Sequence, residues 1–413
     1  MEVGQLIAIF GREPSLSLWE LSRNLGCADF EVATRDLAVF DSPQNLEVAE
    51  LQSRSGGLVK VGRIMGVVDA LSGLAAILEK NWPDLIPAGS TARVNFGVSA
   101  YDAGQTPDRH FRTALKRQAQ RFKKYLTANH RSARLVESKE STLPASALVQ
   151  GKILQQGFEI LVLVSPQKLY WGVTLTVQDI SRYGRRDFGR PARDSHSGML
   201  PPKVAQILIN LTQPKSEEVF LDPFCGSGTI LQEAALMGLK KILGSDLSQK
   251  AVSDSLRNLD WLKQKYEPVD LADLQIFESD IKELPAKLKS ESIDLIATEP
   301  YLGPPQKGRA IVGNILPLVS ALSRQYIPWL EILGKLLKPA GRMAMVWPFF
   351  KVENHGYFLQ LQQALPQTKL KIIPPSKHFL TLPWFRSTPR GTVLYSRPDQ
   401  VVGREIVLLG KNV

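Results

Sequence analysis

The residues best equipped for chemistry lie in the stretch VFLDPFCGSGTILQEA, residues 219–234. An apolar strand is predicted to end at Asp222. The turn through Pro223, Phe224, Cys225, Gly226, Ser227 and Gly228 follows, and a helix is predicted from Thr229. Two glycines let the backbone approach a ligand closely, and the first turn of a helix presents unpaired N–H groups. A dinucleotide fingerprint fails here, because Leu231 stands at the third glycine position, and no G-x-x-x-x-G-K-[ST] phosphate loop occurs. An acid followed by Pro223 and an aromatic suits a cofactor with an amino-acid end, whose ammonium the Asp222 carboxylate can hold. Cys225 reads as a small, weakly polar filler of the turn.

Two more acids follow at predicted strand ends. Asp246, in GSDLS, stands at a distance from the glycines at which an acid commonly grips a ribose diol. Asp280, in FESD, can accept from an adenine amino group. Leu247 and Ile281 beside them complete the expected cofactor contacts. Any one of these carboxylates can instead cap a helix, but three at successive strand ends favour a shared pocket.

A fourth strand, IDLIATEPYLGPP (residues 293–305), brings Glu299, Pro300 and Tyr301 to its end. Neighbouring parallel strands end on the same side of a sheet, so this turn should border the same crevice. The lone pair of a base amine is delocalised into its ring, which makes the nitrogen a poor nucleophile. An acceptor on its N–H raises electron density and stabilises the charge that develops on transfer. Glu299 is the expected acceptor, with Pro300 shaping the turn and Tyr301 a candidate to stack on a flipped base. Glu-Pro-Tyr by itself is an ordinary turn; its place after a cofactor motif is what points to catalysis.

These residues must be held by alternating elements. Strands are predicted at Val219–Leu221, Ile242–Gly244, Leu274–Phe277, Ile293–Ala297, Met343–Val346, Leu370–Ile373, Thr392–Ser396 and Glu405–Leu409. Helices are predicted at Thr229–Met237, Gln249–Lys263, Leu316–Leu337 and Tyr357–Ala364. This rhythm makes an α/β fold with an open, mostly parallel sheet over residues 204–413. Residues 181–203, polar, basic and rich in Gly and Pro, have linker composition.

The amino-terminal half reads differently. Residues 1–100 mix short strands and helices: an apolar run at Gln5–Phe10, helical spacing over Ser15–Leu25, then apolar pieces at Leu58–Val61, Val67–Leu78 and Arg93–Val98. A small α+β domain fits. Residues 101–180 form a second expected domain. Within it, residues 109–134 carry nine Lys or Arg and no Asp or Glu, with Phe111, Leu115, Ala119, Phe122 and Leu126 at helical spacing. One side of this helix should pack while the others stay cationic. Such a run is often a solvated face, but the lack of acids favours phosphate contact. Arg117, Arg121, Lys123, Lys124 and Arg134, with Arg186 and Arg190 in the linker, are the candidate RNA contacts.

Composition agrees. The chain has 413 residues, enough for two or three domains, and its hydrophobic (44%) and charged (22%) fractions argue against disorder. A net charge of +11 favours polyanionic partners. Two distant cysteines, Cys27 and Cys225, and five scattered histidines leave no disulfide framework and no metal-ligand spacing, which suits a reducing cytoplasm. No secretory leader and no membrane span is expected.

Together these segments resemble the THUMP-domain tRNA guanosine-N2 methyltransferases, the group that modifies guanosine 10. The resemblance rests on residues 219–234, on RPARDSHSGMLPPKVAQILINL (190–211) before them, on ARLVESKESTLPASALVQGKI (133–153), which is similar to a THUMP core, on IAIFGREPSLSLWEL near the start, and on the tail VLYSRPDQVVGREIVLL. It implies a Rossmann-like class I methyltransferase domain preceded by a ferredoxin-like and THUMP RNA-binding region. It also implies S-adenosylmethionine as cofactor and tRNA as partner, and it leaves open a small activating subunit, one or two methyl groups, and the oligomeric state. The family usually carries T-D-P-P-Y-G where this chain has Thr298-Glu299-Pro300-Tyr301-Leu302-Gly303. Glu299 thus takes the Asp place and Leu302 the Tyr place, so the base-stacking residue is open. An rRNA or DNA amine as substrate, or an RNA-binding homologue without turnover, are the alternatives.

Overall fold

In a computed structural model of the chain, the described residues are 1–86, 92–193, 199–266, 269–306, 311–353, 355–397 and 400–411. They divide into two compact units. The first is Met1–Leu18 with Cys27–Arg182, and the second is Trp19–Gly26 with Tyr183–Val413.

The first unit is built on one eight-stranded sheet. Its strands are β1 (Leu6–Phe10), β2 (Val32–Ala33), β3 (Leu37–Phe40), β4 (Leu58–Val68), β5 (Val94–Asp102), β6 (Ala133–Val136), β7 (Gly157–Val164) and β8 (Leu169–Val177), in the order β2-β3-β1-β4-β8-β7-β5-β6. The boundary expected at residue 100 therefore falls inside β5. Strand β8 pairs with both β4 and β7, so a single sheet runs through residues assigned to two domains. Sequence-distant pairing of this kind leaves no local mark, because composition reports turns and faces but not which strands meet.

The basic helix forms over Arg109–Ala128, with Asp108 as its N-cap accepting from the Phe111 N–H at 2.7 Å. Leu115, Ala119, Phe122 and Leu126 are buried, and Phe122 meets Phe96 edge-on at 5.1 Å. Arg117, Arg121, Lys123 and Lys124 are exposed, as is Arg134 on β6.

Under this sheet lies a buried ion pair. Lys60 Nζ donates to Glu159 Oε1 at 2.6 Å, to the Leu143 carbonyl at 2.7 Å and to Tyr101 Oη at 3.0 Å. Ser99 and Thr174 hydroxyls donate to the two oxygens of Glu159. Burial lowers the Lys60 pKa, against the attraction of Glu159. Removing one partner strands the other charge in the interior. Lys60→Met should cost about 3–5 kcal/mol in urea unfolding of the full chain.

The second unit is doubly wound. Its strands are β9 (Val219–Asp222), β10 (Lys241–Asp246), β11 (Asp273–Glu278), β12 (Ile293–Thr298), β13 (Leu337–Val352), β14 (His355–Phe358), β15 (Leu370–Ile372), β16 (Val393–Tyr395) and β17 (Val402–Lys411). The main path runs β11-β10-β9-β12-β13-β17-β15. Pairs from β11 to β13 are parallel, and β17 is antiparallel to both neighbours. The near-continuous burial of β9, β12 and β13 is what a sheet covered on both faces demands.

Two expected elements differ. Tyr357–Ala364 is not a helix: β14 pairs antiparallel with β13, and the Phe358 ring stacks on Phe349 at 5.4 Å. Cross-strand aromatic packing overrides the helical spacing there. Residues 181–203 are not a plain linker, because Ile180–Phe188 is a helix with Tyr183 and Arg186 buried. Among the described residues no helix is long and apolar enough to cross a membrane.

Candidate active site

The carboxyl ends of β9, β10, β11 and β12 open into one cleft of about 1390 Å³ in the second unit. Crevices outside strand carboxyl ends are where open α/β sheets hold ligands. Asp222, Pro223, Phe224, Cys225, Gly226, Thr229, Asp246, Leu247, Asp280, Ile281, Glu299, Pro300 and Tyr301 all line it.

Gly228 does not line the cleft but shapes its floor. It is the N-cap of the helix Thr229–Leu236, at φ +80°, and a Cβ there would lie 2.9 Å from Ser255 Oγ. Gly226 is also left-handed, at φ +52°. The close helix–sheet approach that a third glycine gives in dinucleotide sites is met differently. Leu231 is fully buried against Gly244 of β10, where a Cβ would fall 2.6 Å from its Cδ1.

Asp222 is almost wholly buried, accepting from Thr298 Oγ1 at 2.6 Å and from the Phe224 N–H at 3.2 Å. Burial pushes its carboxyl up to about 7, although both donors pull the other way. Asp246 accepts from the Gly226 N–H and the Ser248 N–H, each at 2.9 Å. Asp280 caps the turn Ile281–Glu283 through the Lys282 N–H at 3.0 Å, so the capping role weighed for it is real, and it lines the cleft as well. Leu247 is 70% exposed, an apolar face offered to the cleft. Burial, then Asp222 and Asp246, hold the Cys225 thiol well above its ordinary pKa, which rules it out as a nucleophile and fits a filler.

Glu299 has a partner that the motif did not reveal. Arg404, on β17, donates from Nε to Oε2 at 2.5 Å and from Nη2 to Oε1 at 3.0 Å. The pair is bidentate and mostly desolvated, with side chains 14% and 9% exposed. Burial lowers the Arg404 pKa, but the attraction of Glu299 more than restores it, so its net position is raised. Tyr326 donates its hydroxyl to the Tyr301 carbonyl at 2.9 Å and fixes the turn from below. Tyr326 and Phe224 both contact Trp329, at 4.9 and 4.8 Å between ring centroids, which makes an apolar wall beside the acids. The Tyr301 ring is 53% exposed at the rim.

Arg186 and Arg190 are corrected from RNA contacts to interior residues. Arg186 is 5% exposed and forks onto Glu233 at 2.6 and 3.2 Å, with Tyr183 stacked beneath its guanidinium. Arg190 is 3% exposed and donates to Thr229 Oγ1 at 2.6 Å and to Met199 Sδ at 2.7 Å. Asn258 completes the brace, donating to the carbonyls of Ser227 and Ala192 at 2.8 and 2.9 Å. Residues 190–193 thus hold the glycine turn in shape, which explains why a polar, basic segment precedes it. Sequence reading missed Asn258, Trp329 and Arg404. The first two look like ordinary helix residues, and Arg404 lies 105 positions from its carboxylate. Residues 194–198 of the same segment lie outside the described residues.

A sheet of this strand order around an acid-lined cleft defines a Rossmann-like class I methyltransferase domain, and residues 190–311 match the UPF0020 family, an RMKL-like methyltransferase domain. Among curated relatives, the chain is 36% identical over 156 residues to a tRNA (guanine(10)-N2)-dimethyltransferase of Methanocaldococcus jannaschii, covering 37% of this chain and 39% of that protein. It is 35% identical over 108 residues to the protein of the same name from Methanothermobacter thermautotrophicus, covering 26% and 29%. The matches therefore span less than half of these relatives. The fold of the whole chain is similar to that of TrmN from Thermus thermophilus, with a TM-score of 0.53 at 20% identity over 98% of this chain and 99% of that one.

Proposed function

We propose that the chain is an S-adenosylmethionine-dependent enzyme that methylates the exocyclic N2 amine of guanosine in tRNA, at position 10. The observation that carries this reading is the placement of Glu299 in the same cleft as Asp222 and the turn residues Pro223 to Ser227. Such a cleft gathers Asp222, Asp246, Asp280 and Glu299, yet no cluster of described residues could hold a metal ion. A cationic organic ligand with a hydroxyl-bearing sugar suits that lining: Asp222 for an ammonium, Asp246 for ribose hydroxyls, Leu247 for an adenine face. S-adenosylmethionine, when bound, supplies an electrophilic methyl group.

The chain's own groups do the rest. Glu299 accepts an N–H of the target amine and stabilises the positive charge that grows on nitrogen. Pro300 and the Tyr326 contact keep the turn from moving with the load. Tyr301, exposed at the rim, stacks on the flipped base. Leu302 occupies the family's aromatic position but is the poorer platform. The names of the curated relatives support guanosine N2, tRNA and position 10. The first unit, with its THUMP-like segment and basic helix, supplies RNA affinity, and the low cysteine content suits work in the cytoplasm.

Purified protein with methyl-labelled cofactor and tRNA lacking the modification should yield labelled N2-methylguanosine, and rRNA or DNA in the same tube should not compete. Label in an rRNA or DNA amine instead would replace this substrate; none in any nucleic acid would leave an RNA-binding protein. Neutralising Arg121, Lys123 and Lys124 together should weaken tRNA binding and flatten its log–log salt dependence, by at most about 0.9 per lost phosphate contact. An unchanged slope in filter binding from 50 to 200 mM salt would place this helix away from the RNA.

A further inference from the structure

The two oxygens of Asp222 are not used alike. Oδ1 takes both internal donors, the Thr298 hydroxyl at 2.6 Å and the Phe224 N–H at 3.2 Å. Oδ2 accepts from none of the described residues. The buried side-chain atoms that lack a partner lie elsewhere among those residues, so Oδ2 keeps contact with the cleft that Asp222 lines.

Thr298 stands where it can impose this division. It is fully buried at the last position of β12. The backbone ladder between β9 and β12 ends at Leu221 and Ile296, and the Thr298–Asp222 bond ties the two strands just beyond it, beside the cleft.

An ammonium carries three donors and no acceptor, so it is held by a charged oxygen and repelled by a carboxyl O–H. With two donors on Oδ1, a proton on Asp222 would sit on Oδ2, the oxygen that a ligand meets. Burial opposes ionisation, and so do the charged groups that face this carboxyl, Asp246 at the end of β10 and Glu299 after β12, both acids. Arg404 on β17 is engaged by Glu299. The two donors on Oδ1 work in favour of the charge. The Phe224 N–H is backbone, which any residue but proline supplies, so the hydroxyl is the side-chain contribution.

We propose that Thr298 is a positioning residue for the cofactor: its hydroxyl engages Asp222 Oδ1 so that Oδ2 is presented, unprotonated, to the ligand's ammonium. This rests on the cofactor part of the reading above and requires no particular RNA substrate.

Calorimetric titration of the full chain with S-adenosylhomocysteine across pH 5–9 tests it, with no RNA present. Thr298→Val is nearly isosteric and removes the donor. Without the donor the carboxyl ionises at higher pH, so the acid limb of binding should move up by about one to two pH units, the worth of a hydrogen bond to a charged group. Affinity should then trail wild type by about 10- to 100-fold at pH 6 and by only a few-fold at about pH 9, since loss of the ligand's own proton is common to both proteins. Thr298→Ser, which restores the hydroxyl, should return the limb to its wild-type position. Thr298→Ala should shift it as Val does, and it serves where Val does not fold. A merely structural threonine would cost the same factor at every pH. A limb left in place by Val or Ala, a loss independent of pH, or no recovery with Ser would overturn the proposal. No binding to wild type at any pH would instead defeat the cofactor reading itself, and this proposal with it.

Discussion

Glu299→Gln should lower kcat on tRNA by about 10² to 10³, the usual cost of removing one group aimed at developing charge in a closed site. The cofactor should bind within about twofold of wild type, because the residues shaping its turn do not depend on the Glu299 side chain. Asp222 takes its hydrogen bonds from Thr298 and Phe224, and Gly226 is held by Asp246. The variant is nearly isosteric, so KM for tRNA should move little, and the loss should sit in the chemical step. Single-turnover kinetics with preloaded cofactor separate this from slow product release. Equal rates for wild type and variant would mean that Glu299 is only the counter-ion of Arg404. Loss of cofactor binding together with turnover would mean that the turn had collapsed, and thermal melting would show it.

The second large effect is a pH dependence set by Asp222. Its carboxyl titrates near 7 in the ligand-free protein because it is buried. A folded-state value above the ordinary carboxylate range means that the folded chain binds more protons than the unfolded chain between about pH 4 and 7. Ligand-free stability from this group is therefore highest at low pH and falls as pH rises through that window. Cofactor binding runs the other way. Holding an ammonium requires the ionised carboxylate, so affinity for S-adenosylhomocysteine should rise roughly tenfold per pH unit from about pH 5 to 7. It should level off above that window and weaken only at higher pH, where the ligand's own α-amino group loses its proton. Asp222→Asn should flatten the acid limb and weaken binding at pH 7.5 by about 10- to 100-fold, the worth of a hydrogen bond to a charged group. Calorimetric titration across pH 5–9 measures both. An acid limb that persists in the variant would assign the titration to another group.

Much of the second unit could be read from the chain because its signals are local. The strand–turn–helix of 219–234 shows itself through an apolar run, an acid and two glycines within one stretch, and both glycines do take left-handed backbone. The acids at 246, 280 and 299 sit at strand ends whose spacing follows from the β-α rhythm, and the parallel sheet then brings them to one cleft. The helix 109–128 was equally legible, since its apolar stripe and its cations have the helical period.

Other features had no such mark. Tyr357–Ala364 kept a helical spacing that meant nothing once Phe349 offered a partner across the ladder. Arg186 and Arg190 read as surface cations because charge in a glycine-rich, polar stretch normally meets water; what buries them is a carboxylate and a hydroxyl on one later helix, Glu233 and Thr229. The eight-stranded sheet of the first unit could not be foreseen from segments taken separately, because β4 finds β8 across more than a hundred residues.

By itself the sequence determined which chemical groups the chain carries, which turns must be glycine, and which faces of its helices are apolar, for these depend on neighbours a few positions away. Only the tertiary structure decided how the acid at 299 is used. Its partner on β17 reaches it through sheet order, and sheet order is set by burying whole faces at once, a global condition that no short stretch of residues records.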